Sequence, residues 1–159
     1  MGLKVSGTGH RPDKLGGYTE EAFNNLVEVA EKALTQLKPD EVISGMALGW
    51  DMALAQAAIN KGIPFVAAVP FLGQEKMWNK KTQEDYHEML SKAKEVVIVC
   101  EGGYSAYKMQ VRNEWMVNNS DLVLAMHNGD TSGGTYNCVK YATKVGKKMV
   151  NLYGKLKLK

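Results

Sequence analysis

Apolar positions along the chain follow two alternating patterns. Short runs at residues 3–6, 41–44, 64–69, 96–100, 122–126 and 148–152 have strand length. Between them, apolar residues recur at helical spacing. The segment 19–37 is the clearest case. Thr19 can cap it, Glu20 and Glu21 suit its first turn, and Phe23, Leu26, Val27, Ala30, Ala33, Leu34 and Leu37 form one stripe. Further helices are predicted roughly over 51–60, 82–93, 107–118 and 135–145. Six strands alternating with five helices predict an α/β fold. The expected architecture is a single Rossmann-like three-layer domain, with a mostly parallel sheet of about six strands and helices on both faces.

Composition adds bounds to this picture. A chain of 159 residues suits one domain, and 23% charged with 45% hydrophobic residues is ordinary for a folded globular protein. No apolar run approaches the roughly 18 residues of a membrane span, and no signal peptide is recognised at the start. Cys100 and Cys138 stand far apart without motif spacing, which speaks against a disulfide framework or a zinc site. The expectation is a cytoplasmic protein with no metal, no cofactor and no membrane partner. The net charge of +3 is unevenly spread. Residues 140–159 hold seven lysines and no acid, leaving 13 basic against 17 acidic groups upstream, a formal −4. The reading is one domain over 1–154, mildly acidic up to residue 139, and a solvated basic tail over 155–159; the acidic body argues against a nucleic-acid partner.

In open α/β sheets the ligand lies outside the carboxyl ends of the strands, so the loops there carry the chemistry. After the first strand comes GTGHRP, where Gly7, Thr8 and Gly9 suit a tight turn near a ligand and His10 and Arg11 offer donors. After the second comes SGMALGWDMALAQAA. Gly45 and Gly49 bracket a loop, and Asp51 suits either the start of the next helix or the hydroxyls of a ribose. Trp50 there is either an aromatic wall for a base or core. The third strand runs into VPFLGQEKMW, whose Pro70, Phe71, Gln74 and Trp78 read as a pocket rim. The fourth leads to EGGYSAYKMQVRNEWM, with Tyr107, Arg112 and Glu114 as cleft candidates. The fifth ends in NGDTSGGTYNC, placing Gly133, Gly134 and Thr135 at the entrance to a helix, where free N–H groups and the helix dipole favour an anion. It is not a Walker loop, because no Lys-Ser/Thr follows the glycines.

Taken in this order, GTGHRP, SGMALGWDMALAQAA, VPFLGQEKMW, RNEWMVNNSDLVLA and GGTYNCVKYA resemble the SLOG superfamily over nearly the whole chain. That superfamily includes the Smf/DprA proteins and the LOG phosphoribohydrolases, and the closest likeness is to its YpsA-like branch. The resemblance implies a Rossmann-like fold that binds nucleotides or nucleotide-derived ligands. Against the LOG motif M-H-x-R-K-x-x-M, Met109, Arg112 and Met116 match, while Gln110 and Asn113 replace its His and Lys. Gly133, Gly134 and Thr135 give a shortened form of P-G-G-x-G-T-x-x-E, with Cys138 where the glutamate of that motif stands. The phosphate cradle and the arginine carry over, and the acid does not.

The function expected is therefore binding of a nucleotide or nucleotide-derived ligand, sensed or sequestered, by a protein that forms a homo-oligomer, a dimer. The alternative is an N-glycosidic hydrolase or transferase with Asp51 or Glu114 as its acid. The third reading is DprA-like binding of single-stranded DNA.

Overall fold

The computed structural model describes residues 2–156. In chain order the elements are β1 (Lys4–Gly9), α1 (Glu20–Leu37), β2 (Glu41–Ser44), α2 (Trp50–Lys61), β3 (Phe65–Val69), α3 (Lys80–Ser91), β4 (Glu95–Ile98), α4 (Ala106–Asn118), β5 (Leu122–Met126), α5 (Gly134–Lys144) and β6 (Lys148–Asn151). Short 3-10 turns cover Pro12–Lys14 and Tyr153–Lys155. All strand pairs are parallel, in the order β4-β3-β2-β1-β5-β6. The predicted α/β architecture is the one observed. Of the basic tail expected over 155–159, residues 157–159 lie outside the described part; Leu156 packs against the core.

Handedness decides where the helices go. From β1 to β4 the chain steps one way across the sheet; it then crosses back to β5 and steps the other way to β6. Right-handed crossovers put α1, α2 and α3 on one face and α4 and α5 on the other. The core divides accordingly. A large cluster joins α1, α2 and α3 to Val5, Val42, Phe65, Ala67, Leu122 and Leu124. Smaller clusters lie under α4 (Ile43, Val66, Ala68, Met116) and under α5 (Val117, Val123, Cys138, Ala142). The strand order reverses between β1 and β5.

One strand departs from its predicted limits in a way that matters. β1 runs on through Gly9, pairing Gly7 with Leu124 and Gly9 with Met126, so both glycines belong to the sheet and not to a turn. They lack side chains because α2 packs directly on them. A Cβ on Gly9 would lie 2.4 Å from Cβ of Trp50, and one on Gly7 would lie 2.6 Å from Cδ2 of Leu54. The alanines of α2 allow the same closeness to α1 on its other side, and most of the helix is buried. Fully burying a large apolar residue such as Leu54 stabilises by roughly 1.5–3 kcal/mol. A Gly9→Ala change would force that helix off the sheet. The other elements differ from the sequence pattern by only one or two residues at their ends.

Candidate functional site

A cleft of about 530 Å³ opens over the carboxyl ends of β1 and β5, at the reversal in strand order. Four segments build it: the end of β1, the β2–α2 loop, the first two turns of α4 with the loop before it, and the β5–α5 loop. Of the residues proposed from sequence, it gathers Thr8, Gly9, His10, Arg11, Asp51, Arg112, Gly133, Gly134 and Thr135.

The β5–α5 loop supplies the helix start that the sequence suggested for an anion. Gly133 adopts φ 95°, a conformation that favours glycine, and no side chain caps α5. The N–H of Asn137 returns to the Gly133 carbonyl. Gly133, Gly134 and Thr135 at this helix start line the cleft, with the helix dipole behind them. The loop is tied to the β1 end. The Asn128 N–H donates to Nε2 of His10 at 3.0 Å, Oδ1 of Asn128 takes the Asp130 N–H, and Lys14 pairs with Asp130. Burial, ahead of the opposing contact with Asn128, pulls the His10 pKa below 6.5, and Lys14 and His127 add to that.

Opposite lies a buried charged pair. Asp51, only 6% exposed, sits in the first turn of α2, and Arg112, 3% exposed, reaches in from α4. Gly45 separates them; a Cβ there would meet Nη1 of Arg112 at 2.6 Å and Oδ2 of Asp51 at 2.7 Å. Nη1 of Arg112 donates to the Gly45 carbonyl (2.6 Å) and the Ala68 carbonyl (3.2 Å), and Nε donates to Oδ1 of Asn113 (3.0 Å). Its Nη2 makes no hydrogen bond among the described residues. Burial raises the Asp51 carboxyl pKa, against the pull of Arg112, Arg11 and the Ala47 N–H. Burial lowers that of Arg112, with Asp51 opposing. Oε1 of Gln110, another residue lining the cleft, is buried and has no hydrogen-bond partner among the described residues.

Other expected contacts lie elsewhere. Trp50 is fully buried under β1 and its indole N–H donates to the Leu124 carbonyl at 3.0 Å, so it is core and not a wall. Gly7 and Gly45 are packing glycines beneath the cleft; Gly49, at φ 95°, lets α2 start hard against the His10 carbonyl. Pro70 and Phe71 are buried, and Phe71 backs Tyr104 edge-on at 5.8 Å. Gln74 spends its amide on the Gly45 carbonyl and the Tyr86 hydroxyl, while Trp78 packs edge-on against Tyr86. Tyr107 is 65% exposed and outside the cleft; Glu114 also lies outside its lining, accepting from Nε2 of Gln110 at 3.1 Å. Cys138 is buried and accompanied by the Thr8 hydroxyl. Its thiol is pushed up to about 11, mainly by burial, so it is neutral and supplies no anion in place of the missing glutamate.

Sequence reasoning overlooked Tyr104, Asn113, Asn137 and the Asn128–Asp130 latch as site residues. The Asn-Gly-Asp turn after β5 was the available signal for the latch.

The family follows from a match of residues 5–153 to the YspA SLOG family model. The chain belongs to the YspA SLOG family. It is similar to the uncharacterized SPbeta prophage-derived protein YoqJ of Bacillus subtilis (strain 168), with 34% identity over 137 residues, covering 76% of this chain and 80% of that protein. Among solved structures it resembles DNA processing protein A of Streptococcus pneumoniae (TM-score 0.64, 17% identity), over 92% of this chain and 49% of the other. The Helicobacter pylori protein of that name, described by its single-stranded DNA binding mode, has TM-score 0.64 and 19% identity, over 92% of this chain and 63% of the other. The chain thus spans about half to two thirds of these two proteins, and the likeness shows a shared fold. No helix among the described residues is long and apolar enough to cross a membrane.

Proposed function

We propose that this member of the family binds a nucleotide or nucleotide-derived ligand in the cleft, sensing or sequestering it. One observation carries the reading: the uncapped start of α5 shares a cleft with a buried carboxylate and a spare guanidinium N–H. A phosphate would take the N–H groups at Gly134 and Thr135, with Arg11 adding charge. Sugar hydroxyls would donate to Asp51 and accept from Nη2 of Arg112. A dimer of the chain would hold two such clefts.

A thermal-shift screen against nucleoside monophosphates, dinucleotides, ADP-ribose and cyclic nucleotides tests this. A ligand at 100 times its Kd stabilises by about 2.7 kcal/mol, or roughly 5–10 °C for a domain of this size. A blank across the panel with a well-formed melt would refute the reading.

The position of Asp51 favours an enzymatic second reading, cleavage of an N-glycosidic bond. A buried carboxyl with raised pKa in a cleft is suited to general-acid work. Chromatography of the positive samples separates the two: an intact ligand means binding, and a released base means hydrolysis. For single-stranded DNA, a titration of oligonucleotide against salt decides, since a phosphate-tracking surface gives a steep salt slope.

A further inference from the structure

The sheet has two open edges, and they differ in how they are protected. At β6, Lys147 and Lys148 lie at the strand start with Lys144 just before, and no acid is present from residue 140 onward. Exposed lysines at a strand start are a common guard on sheet edges. At β4 the charges, Lys92, Lys94 and Glu95, are confined to the strand start, and the strand is apolar from Val96 on. Val96 (41% exposed) and Ile98 (43%) stand uncovered on one face, while Val97 and Val99 on the other are only partly covered. Next to them, α4 carries Tyr107, Val111 and Trp115 at positions i, i+4 and i+8, which form one line along the helix. Trp115 packs into the same small cluster as Val97 and Val99, which places this line on the β4 side of α4. Val111 is 40% exposed. Strand edge and helix stripe therefore form one continuous apolar surface.

We propose that this surface joins two copies of the chain about a two-fold axis, with β4 pairing antiparallel to β4 of the partner to give one continuous sheet. The self-complementarity of the strand supports a second copy as its occupant. With the axis perpendicular to the sheet, residues of like facing meet, so the register must centre on a residue. Centred on Val97, the pairing sets Val97 against Val97 and Val96 against Ile98, and brings Lys92 and Lys94 at one strand's start beside Glu101 at the other's end. Centred on Ile98, it would oppose Glu95 with Glu101, which like charges disfavour. Centred on Val96, it would lay Lys94 against Ile98. Apolar matching and charge matching select the same register. On the α4 face the two helices then run side by side across the axis, covering Val111 and Trp115.

Sedimentation equilibrium of the full chain at about 1 and 100 μM reads the mass directly. The expected result is twice 17.5 kDa at the higher concentration. Ile98→Lys and Val111→Glu each bury an unpaired charge at the interface, so each should raise the dimer Kd at least about tenfold with an unchanged far-UV circular dichroism spectrum. A single-chain mass at 100 μM, or dimers that survive both substitutions, would overturn the proposal. Should either variant fail to fold, cross-linking supplies the second test. In a Cys100→Ser background, Val97→Cys should form a disulfide-linked dimer when copper phenanthroline is added as oxidant, since directly opposed residues lie within disulfide reach. Glu95→Cys should not, and absence of cross-linking at residue 97 would overturn the register. None of these assays reads ligand binding, so their outcome is separable from that of the cleft.

Discussion

Two cavities of nearly equal size, about 530 and about 500 Å³, are rimmed by helix starts, yet they treat those starts in opposite ways. The second cavity lies between α1 and α3. There Oγ1 of Thr19 accepts the Ala22 N–H at 3.1 Å, and Oδ1 of Asn79 accepts the Thr82 N–H at 2.8 Å. Those helices satisfy their own first turns and offer an anion little. At the cleft over β1 and β5, α2, α4 and α5 all begin without a side-chain cap; even Ser105, a residue of capping type, caps nothing in α4. α2 recovers part of the loss through backbone contacts of Trp50 and Met52 with the His10 and Ala47 carbonyls. α5 keeps its donors open. A helix start left open by its own chain beside buried charged groups is what an anionic ligand needs, and only one of the two cavities has it.

The largest effect should come from closing α5. A Cβ at Gly134 meets no atom within 4 Å, so Gly134→Asp is accommodated at its Cβ and puts a carboxylate at the proposed phosphate position. Nucleotide affinity should fall at least about 100-fold, more than about 2.7 kcal/mol. The apo melting temperature should rise slightly, because an acid at a helix start gains about 0.3–1 kcal/mol. Calorimetry and a melt on the same sample check both signs.

Asp51→Asn should come next, weakening binding by about tenfold or more through loss of a charged acceptor worth about 1.5–3 kcal/mol. Because burial raises this carboxyl pKa in the folded state, ionisation at neutral pH opposes folding. The variant should therefore melt no lower than the parent at pH 7. A clear loss of stability there would show that the charge is structural.

Thr19→Ala and Asn79→Ala should each cost about 1 kcal/mol, or roughly 2–4 °C in melting temperature, and leave nucleotide affinity unchanged. An effect on binding would erase the distinction between the two cavities.

The smallest effect concerns His10. Its folded pKa lies below 6.5, so the unfolded chain takes the proton first. Stability is full above pH 6.5 and declines as pH falls toward the folded value. His10→Gln should flatten that decline, measurable as melting temperature against pH.

The alternation of patterns made the fold legible, because a parallel sheet buried on both faces writes its strands as separate apolar runs. The cleft was legible where a helix start carries a local signature, as at Gly133, Gly134 and Asp51. It was illegible where one residue type serves two physical ends. Gly7 and Gly9 have the sequence of a ligand turn but exist so that Trp50 and Leu54 can touch the sheet. Trp50 has the character of a base-stacking wall, and its burial depends on α2 being covered by α1. Tyr107 and Tyr104 are three residues apart around the start of α4. Helical phase sends the first outward, while the loop holds the second over the cleft. No single-residue signal separates those cases; the three-dimensional packing does.

The central claim is that α5 holds a phosphate on N–H groups its own chain leaves free. Amide NMR during a titration with adenosine monophosphate and, separately, inorganic phosphate tests it most directly. The account predicts saturable downfield shifts at Gly134 and Thr135, with Ala22 and Thr82, the capped counterparts in α1 and α3, unmoved. Equal shifts at all four helix starts, or none at Gly134 and Thr135, would contradict it.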